Sequence, residues 1–306
     1  MVAEMQNQPT SHHFVPIFYL KAWAASDGRV TRYYRPYKDV IASPIGPKYA
    51  GCEDYLYTLQ GVPPDEQAFL ETNFFSPVDS DAAIAHQLLL AGKLNSLTNR
   101  QRVNWARFIM SMQIRSPFSL GELQGLADLT MRSKMNIDDP EFAAAIKSGT
   151  RQTMYEWFQQ NHPVAITEAH KRFLPGLIDH EELGDYLINM SWGTLDVSSA
   201  SHTLLTCDRP LIRTHGWKDP NAVLIFPLSP SVLWIATNSP KRMRSVVNTN
   251  RSQHVRMVNG KIVHQAVDFV FGLSNSHLTF VSKRLRRPDQ EPAPGPIGKG
   301  QPDCPP

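Results

Sequence analysis

The sequence predicts an α+β fold: a small N-terminal strand pair, a central helical bundle, and a C-terminal, mainly antiparallel sheet packed on helices. Three observations point there. Short β-branched and aromatic runs precede residue 60, apolar residues recur at helical spacing from about 65 to 190, and short strand-like runs parted by turn residues return after Trp192. The 306 residues are 42% apolar and 19% charged, which suits one domain with a sizeable core over residues 12–284. Its helical part runs from about 65 to 190 and its sheet-rich part from about 192 to 282. A polar stretch, 1–11, and a Pro/Gly-rich tail, 285–306, are expected to be disordered.

In chain order, Pro16 opens a short helix to about Ala24, with Pro16, Tyr19, Leu20 and Trp23 on one packed stripe. Asp27-Gly28 turns the chain into a strand from Arg29 to Tyr34. Residues 40–54 read as loop, and Tyr55–Leu59 as a second strand. After Pro63-Pro64 come helices over Glu66–Phe75 and Asp79–Ala91, the latter capped by Asp79-Ser80-Asp81. The Thr98 to Gln101 spacing makes a capping box for a helix reaching Arg115, where Pro117 stops it. Further helices cover Leu120–Met135, Glu141–Ile146, Gln152–Gln160, Ala165–Phe173 and Glu181–Met190. Strands then cover Gly193–Val197, Thr203–Cys207, Ala222–Phe226 and Val232–Thr237, with Pro227-Leu228-Ser229-Pro230 turning between the last two. A helix from Lys241 to Val258 and a strand from His277 to Val281 complete the pattern.

The formal charge of +3, with a pI near 8.7, is too mild to mark a nucleic-acid binder by itself. Three widely spaced cysteines fit neither a zinc knuckle nor a disulfide framework, and a cytoplasmic location is expected. No basic-then-apolar leader opens the sequence and no apolar run is long enough to span a bilayer, so no membrane association is expected. Gly-rich phosphate loops, Gly-x-Ser-x-Gly and His-Glu-x-x-His are absent.

Candidate chemistry therefore rests on scattered residues. His12 and His13 are adjacent, so on an extended segment they face opposite ways and one could act as ligand or general base; the plainer reading is surface imidazoles or a helix cap. Arg100, Asn104, Arg107, Ser111 and Arg115 form a polar stripe opposite the apolar Trp105, Phe108, Ile109 and Met112. Its guanidinium groups could hold phosphate oxygens, or pair with structural carboxylates on a solvated face. Asp208 ends an apolar strand and could bind a divalent cation, act as a base, or fix its own turn. Glu66 and Glu71 are ambiguous helix acids, and Asn248 has amide hydrogen bonding to offer. Arg32, Tyr33, Tyr34 and Arg35 could stack on and neutralise a single strand, or simply pack as an edge.

Four blocks carry a resemblance: His12-His13-Phe14-Val15-Pro16 with Phe18-Tyr19-Leu20; Arg107-Phe108 with Gln113-Ile114-Arg115-Ser116-Pro117; Thr206-Cys207-Asp208-Arg209-Pro210; and Phe226-Pro227-Leu228-Ser229-Pro230 with Asn248. In these the chain resembles the mainly bacterial family called domain of unknown function 4238. The resemblance implies an α+β protein in which the His block, the Arg helix and the Asp-x-Pro turn meet in one site. Some members are associated with phage defence, which is compatible with a nucleic-acid-directed activity, and the family has no settled reaction. Cys207 and Arg209 depart from the Ser-Asp-Asn-Pro-like form of the third block.

These residues together suggest a hydrolase acting on a phosphate-containing substrate, in its sharpest form a metal-dependent nuclease. His12 or His13, Glu71 and Asp208 would bind a divalent metal or supply the base. Arg107 and Arg115, with Gln113 and Asn248, would bind substrate. The alternatives are a non-enzymatic module that senses an anionic ligand or a partner, and a purely internal polar network.

Overall fold

A computed structural model describes residues 10–136, 138–287 and 289–293. Most of the two segments expected to be disordered lies outside those residues; within them, Ser11 already pairs in a strand and Leu285 is buried. Strand β1 (Ser11–His13) runs antiparallel to β4 (Cys52–Asp54), setting His12 opposite Glu53 and His13 opposite Cys52. Between them come helix α1 (Ile17–Lys21) and the antiparallel pair β2 (Val30–Tyr34) and β3 (Ile41–Ile45). Gly51 sets the return of the chain: its φ is +60°, its carbonyl accepts the N–H groups of both Phe14 and Val15, and an added Cβ would lie 2.6 Å from that of Val15.

The helical part comprises α2 (Ser76–Leu90), α3 (Asn99–Ile114), α4 (Pro117–Lys134), α5 (Pro140–Lys147), α6 (Met154–Asn161), α7 (Pro163–Ile178) and α8 (Glu181–Asn189). The capping box at the start of α3 is formed in both directions between Thr98 and Gln101. The chain then makes β5 (Ser191–Asp196), β6 (Thr206–Cys207), β7 (Ile212–Arg213), β8 (Val223–Ser229) and β9 (Val232–Thr237), and after these α9 (Pro240–Val247), α10 (Arg251–Gln265), β10 (Val270–Gly272) and α11 (Leu278–Ser282). One four-stranded sheet has the order β3-β2-β10-β6 and another β5-β9-β8-β7, with antiparallel pairing in both. The fold is thus α+β, as its sequence indicates.

Tyr19 and Leu20 on α1 and Trp23, two residues past its end, are fully buried; the expected helix to Ala24 stops at Lys21. Tyr19 also joins the first sheet to the second: its hydroxyl lies 2.6 Å from Thr206 Oγ1 and donates to the Pro227 carbonyl at 2.7 Å. Around it, Trp105 and Phe108 of α3, Phe226 of β8 and Trp234 of β9 pack with ring centroids 5.0–6.1 Å apart. His86 of α2 sits among them, bound at Nε2 to the Leu228 carbonyl. Burial lowers its pKa to about 4, so it packs as a neutral ring.

Several local expectations fail, some because long-range pairing outweighs local preference and others because a nearer cap or start signal acts first. Residues 40–54 contain two strands, with Pro44 tolerated because β3 is an edge of its sheet. Tyr55–Leu59 is not a strand: Tyr55 takes φ 59°, and the N–H groups of Tyr55 and Tyr57 go to Thr10 and to the His12 ring. Asp79-Ser80-Asp81 caps nothing, because α2 starts at Ser76 with Pro77 in its first turn. The helix over Lys241–Val258 is two helices, broken at Asn248 and restarted by the Asn250 side chain, which accepts from the N–H groups of Ser252 and Gln253. His277–Val281 contributes to a helical turn, with its two buried residues four apart, and the strand β10 lies seven residues earlier.

Candidate functional site

The polar groups converge where β1, α2 and α3 meet. Before α2 the chain makes a π-helical turn, Leu70–Phe75, in which the N–H of Ser76 reaches back five residues to the Glu71 carbonyl. One extra residue in this turn rotates the rest of the helix, so Glu71 and Asp79, eight apart, come close enough for their charges to interact. π-turns of this kind recur at functional sites.

Arg115 closes α3 and is 1% exposed. Its Nη1 donates to Asp79 Oδ1 at 2.7 Å, and its Nη2 donates to Asp79 Oδ2 at 3.1 Å and to the His13 carbonyl at 2.7 Å. The guanidinium lies 4.7 Å from the centre of the Phe75 ring, and the Tyr57 hydroxyl donates to the Arg115 carbonyl at 2.5 Å. Burial alone works against its charge, but Asp79 and Tyr57 together outweigh burial and the guanidinium stays protonated.

Glu71 is the unusual member. Burial pushes its pKa up to about 7, with the Asp79 charge adding to the effect; the Arg115 charge and a hydrogen bond from the His13 backbone pull the other way. One carboxyl oxygen, Oε2, is buried with no hydrogen-bond partner among the described residues. A carboxyl in this state exchanges protons near neutrality and holds an oxygen unclaimed by the fold.

The two histidines diverge as adjacent strand residues must. His12 is wholly buried: its Nδ1 accepts the Tyr57 N–H at 2.9 Å and its ring stacks on Tyr57, 5.6 Å between centroids and 6° between planes. An Nδ1 that accepts a backbone N–H has its lone pair engaged and cannot also ligate a metal through that atom. His13 is half-buried, with Nε2 2.9 Å from the Lys48 carbonyl.

The other expected site residues make their contacts elsewhere. The buried carboxylate of Asp208 takes the N–H groups of Val267, Asp268 and Phe269 at 2.6–3.2 Å, which fixes the approach to β10. Burial pushes its pKa up to about 6 while those amides pull it down. Arg107 forks onto Asp179 at 2.5 and 2.7 Å and stacks over Phe74. It lines an open groove of about 440 Å³ in which Asp179, Glu181 and Asp185 outnumber the cations, a poor setting for phosphate. Gln113 turns to Met110 Sδ, and Asn248 caps α9. The expected set of His12, His13, Glu71 and Asp208 around a metal is therefore not assembled, and among the described residues no three His, Cys, Asp or Glu side chains are grouped to hold an ion. The polar stripe of α3 is not a uniformly solvated face either, since Ser111 and Arg115 are buried.

Sequence reasoning missed Tyr57 and Asp79. No local signal marks Tyr57, whose run resembles a strand. Asp79 would have been found by allowing an extra residue between it and Glu71. Among the described residues, no helix is long and apolar enough to cross a membrane.

The blocks that carry the family resemblance meet in pairs, His13 with Arg115 and Tyr19 with Thr206 and Pro227. No curated protein and no solved structure matches the chain. A family model does match, over residues 11–276, and the chain belongs to the family described as Protein of unknown function (DUF4238).

Proposed function

We propose that the protein is a hydrolase of phosphate-containing substrates in which Glu71 takes and returns the proton of an attacking water. One observation carries this reading: a largely buried carboxyl with its pKa raised to about 7 and one oxygen without a partner, set on a π-turn beside Arg115 and Asp79. A general base works best with a pKa near the operating pH, and an ordinary carboxylate is about two pH units too acidic for the task. Arg115 and Asp79 are positioning residues here, since both already hold one another. A divalent-metal nuclease would need a grouped donor set, which the described residues do not provide, whereas the base that takes a water's proton, and returns it to the leaving oxygen, can be Glu71 alone. A nucleic-acid target would suit the phage-defence association that the family resemblance implies, in a cytoplasmic setting.

The test is turnover of a phosphodiester chromophore, RNA and single-stranded and duplex DNA, with and without Mg²⁺ or Mn²⁺. The expected result is a rate that rises with pH through about 7 and falls at least about 100-fold in Glu71→Gln, with the fold retained. Absence of turnover on every substrate, or an unaltered Glu71→Gln, refutes it.

A second, non-enzymatic reading has its own support. Both arginines expected to grip phosphate are engaged with carboxylates of the chain itself, and the Arg115–Asp79 pair, through the His13 carbonyl, belongs to a polar network that locks β1 to the helices. Under that reading Glu71→Gln alters stability and leaves no activity to lose.

A further inference from the structure

The charge of the chain is unevenly placed. Residues 241–287 hold ten Lys and Arg side chains and a single acid, Asp268, although the whole sequence carries only +3, so the remainder is net acidic. Part of this excess gathers at one corner of the fold. The turn after β2 lies against the end of α11, because Arg35 donates from Nη2 to the Ser282 and Leu285 carbonyls at 3.0 and 3.2 Å and from Nε to that of Arg286 at 3.2 Å. Arg286 in turn donates to the Val267 carbonyl at 2.8 Å and lies 3.6 Å from Asp268, which ties the corner to the start of β10.

The solvent side of this corner alternates cations with rings. Tyr37 is 84% exposed at the tip of the turn, beside the exposed Lys38. The end of α11, which Arg35 holds against this turn, adds the exposed Lys283, Arg284 and Arg287; Lys38, Lys283 and Arg287 have no carboxylate within salt-bridge distance among the described residues. Arg284 stacks on Phe280 at 4.0 Å, and the Arg32 guanidinium lies 4.5 Å from the Tyr34 ring and 5.4 Å from the Phe269 ring. The acids near these residues in the chain are Asp39, Asp268, Asp289 and Glu291, and Asp268 is engaged by Arg286.

We propose that this corner, formed by the β2 turn and the end of α11, binds single-stranded nucleic acid, with Lys38, Lys283 and Arg287 on phosphates and Tyr37 stacked on a base. Unpaired cations spaced around an exposed ring match a flexible phosphate chain whose bases are free to turn outward. A duplex hides its base faces and could use only the cations. The proposal does not depend on Glu71 being catalytic: a Glu71→Gln protein that hydrolyses nothing still binds.

Fluorescence anisotropy of the full chain with a labelled 20-nucleotide single strand, its duplex and anionic phospholipid vesicles tests it. The single strand is expected to bind at least about fivefold tighter than the duplex. Its log K should fall with log salt at a slope of about −2, from three phosphate contacts at about 0.7 each. Tyr37→Ala should weaken single-strand binding about 5- to 100-fold while leaving duplex binding unchanged. Lys283→Glu with Arg287→Glu should weaken both by at least tenfold, with the melting temperature unchanged because these side chains are exposed. No binding at low salt, equal affinity for strand and duplex, affinity for vesicles alone, or binding untouched by either variant overturns the proposal.

Discussion

Replacing Arg115 by Met keeps much of the side-chain volume and removes the charge. In the native protein that charge is 1% exposed and is shared between Asp79 and the His13 carbonyl, at 2.7–3.1 Å. Losing one partner of a buried pair costs about 3–5 kcal/mol, chiefly because the other charge is left uncompensated. The side chain of Asp79 is 21% exposed, so water can cover part of its loss. The stacking over Phe75 adds about 0.5–2 kcal/mol. Together these place Arg115→Met at about 3–5 kcal/mol of destabilisation by urea unfolding. Asp79→Leu alone should cost a similar amount, while the double variant should recover at least about 2 kcal/mol of the summed loss, since neither charge then remains. A single-variant cost below about 1 kcal/mol, or a coupling energy below about 0.5 kcal/mol, would refute the assignment of this pair as the clamp between α2, α3 and β1.

Glu71 makes stability depend on pH in the opposite sense to a salt-bridged acid. Its pKa in the folded state, about 7, lies above its ordinary value of 4.5, so its contribution is fully present below about pH 4.5 and is lost as pH rises through 7. Glu71→Gln should therefore flatten the decline between pH 5 and 8 and exceed the natural protein at pH 8 by about 1–3 kcal/mol, measured by denaturant midpoints at each pH; parallel curves for the two proteins would count against it. Asp208→Ala leaves the buried N–H groups of Val267, Asp268 and Phe269 without their acceptor and should cost about 2–4 kcal/mol, whereas Asn248→Ala at the exposed end of α9 should cost under about 1 kcal/mol. Equal effects in thermal melts would contradict the structural role given to Asp208.

Long periodic elements were legible in the sequence, and short ones depended on partners the sequence does not name. Thr98 and Gln101 announce α3 through a local exchange of hydrogen bonds, and Val232–Thr237 is long enough to read as a strand. Tyr55–Leu59 and His277–Val281 carry strand-like residues, yet the backbone of one is claimed by Thr10 and His12 and the burial of the other has helical period. At the site, residue type was legible and role was not. Arg115 stood out as a cation, but nothing nearby in sequence shows that Asp79, thirty-six positions earlier, fills its donors. Asp208 stood out at a strand end, where the plainer alternative, an acceptor for backbone amides, is what the fold uses.

The His block owes its place to its main chain more than to its imidazoles. The His13 peptide N–H supports Glu71 and the His13 carbonyl takes Arg115, so one residue of β1 touches both charges of the corner. Arg115 and Asp79 already balance, which leaves the corner neutral when Glu71 is protonated and at −1 when it is not. Burial resists that extra charge, and Arg115 cannot swing to meet it without abandoning Asp79. The raised pKa of Glu71 is thus chiefly a consequence of its burial, with the Asp79 charge adding to it, while Arg115, one cation shared by two carboxyl groups, offsets only part; the π-turn is what brings Glu71 there. A plain α-helical turn would rotate Glu71 by about 100° relative to Asp79 and so part the two carboxyl groups that now flank Arg115.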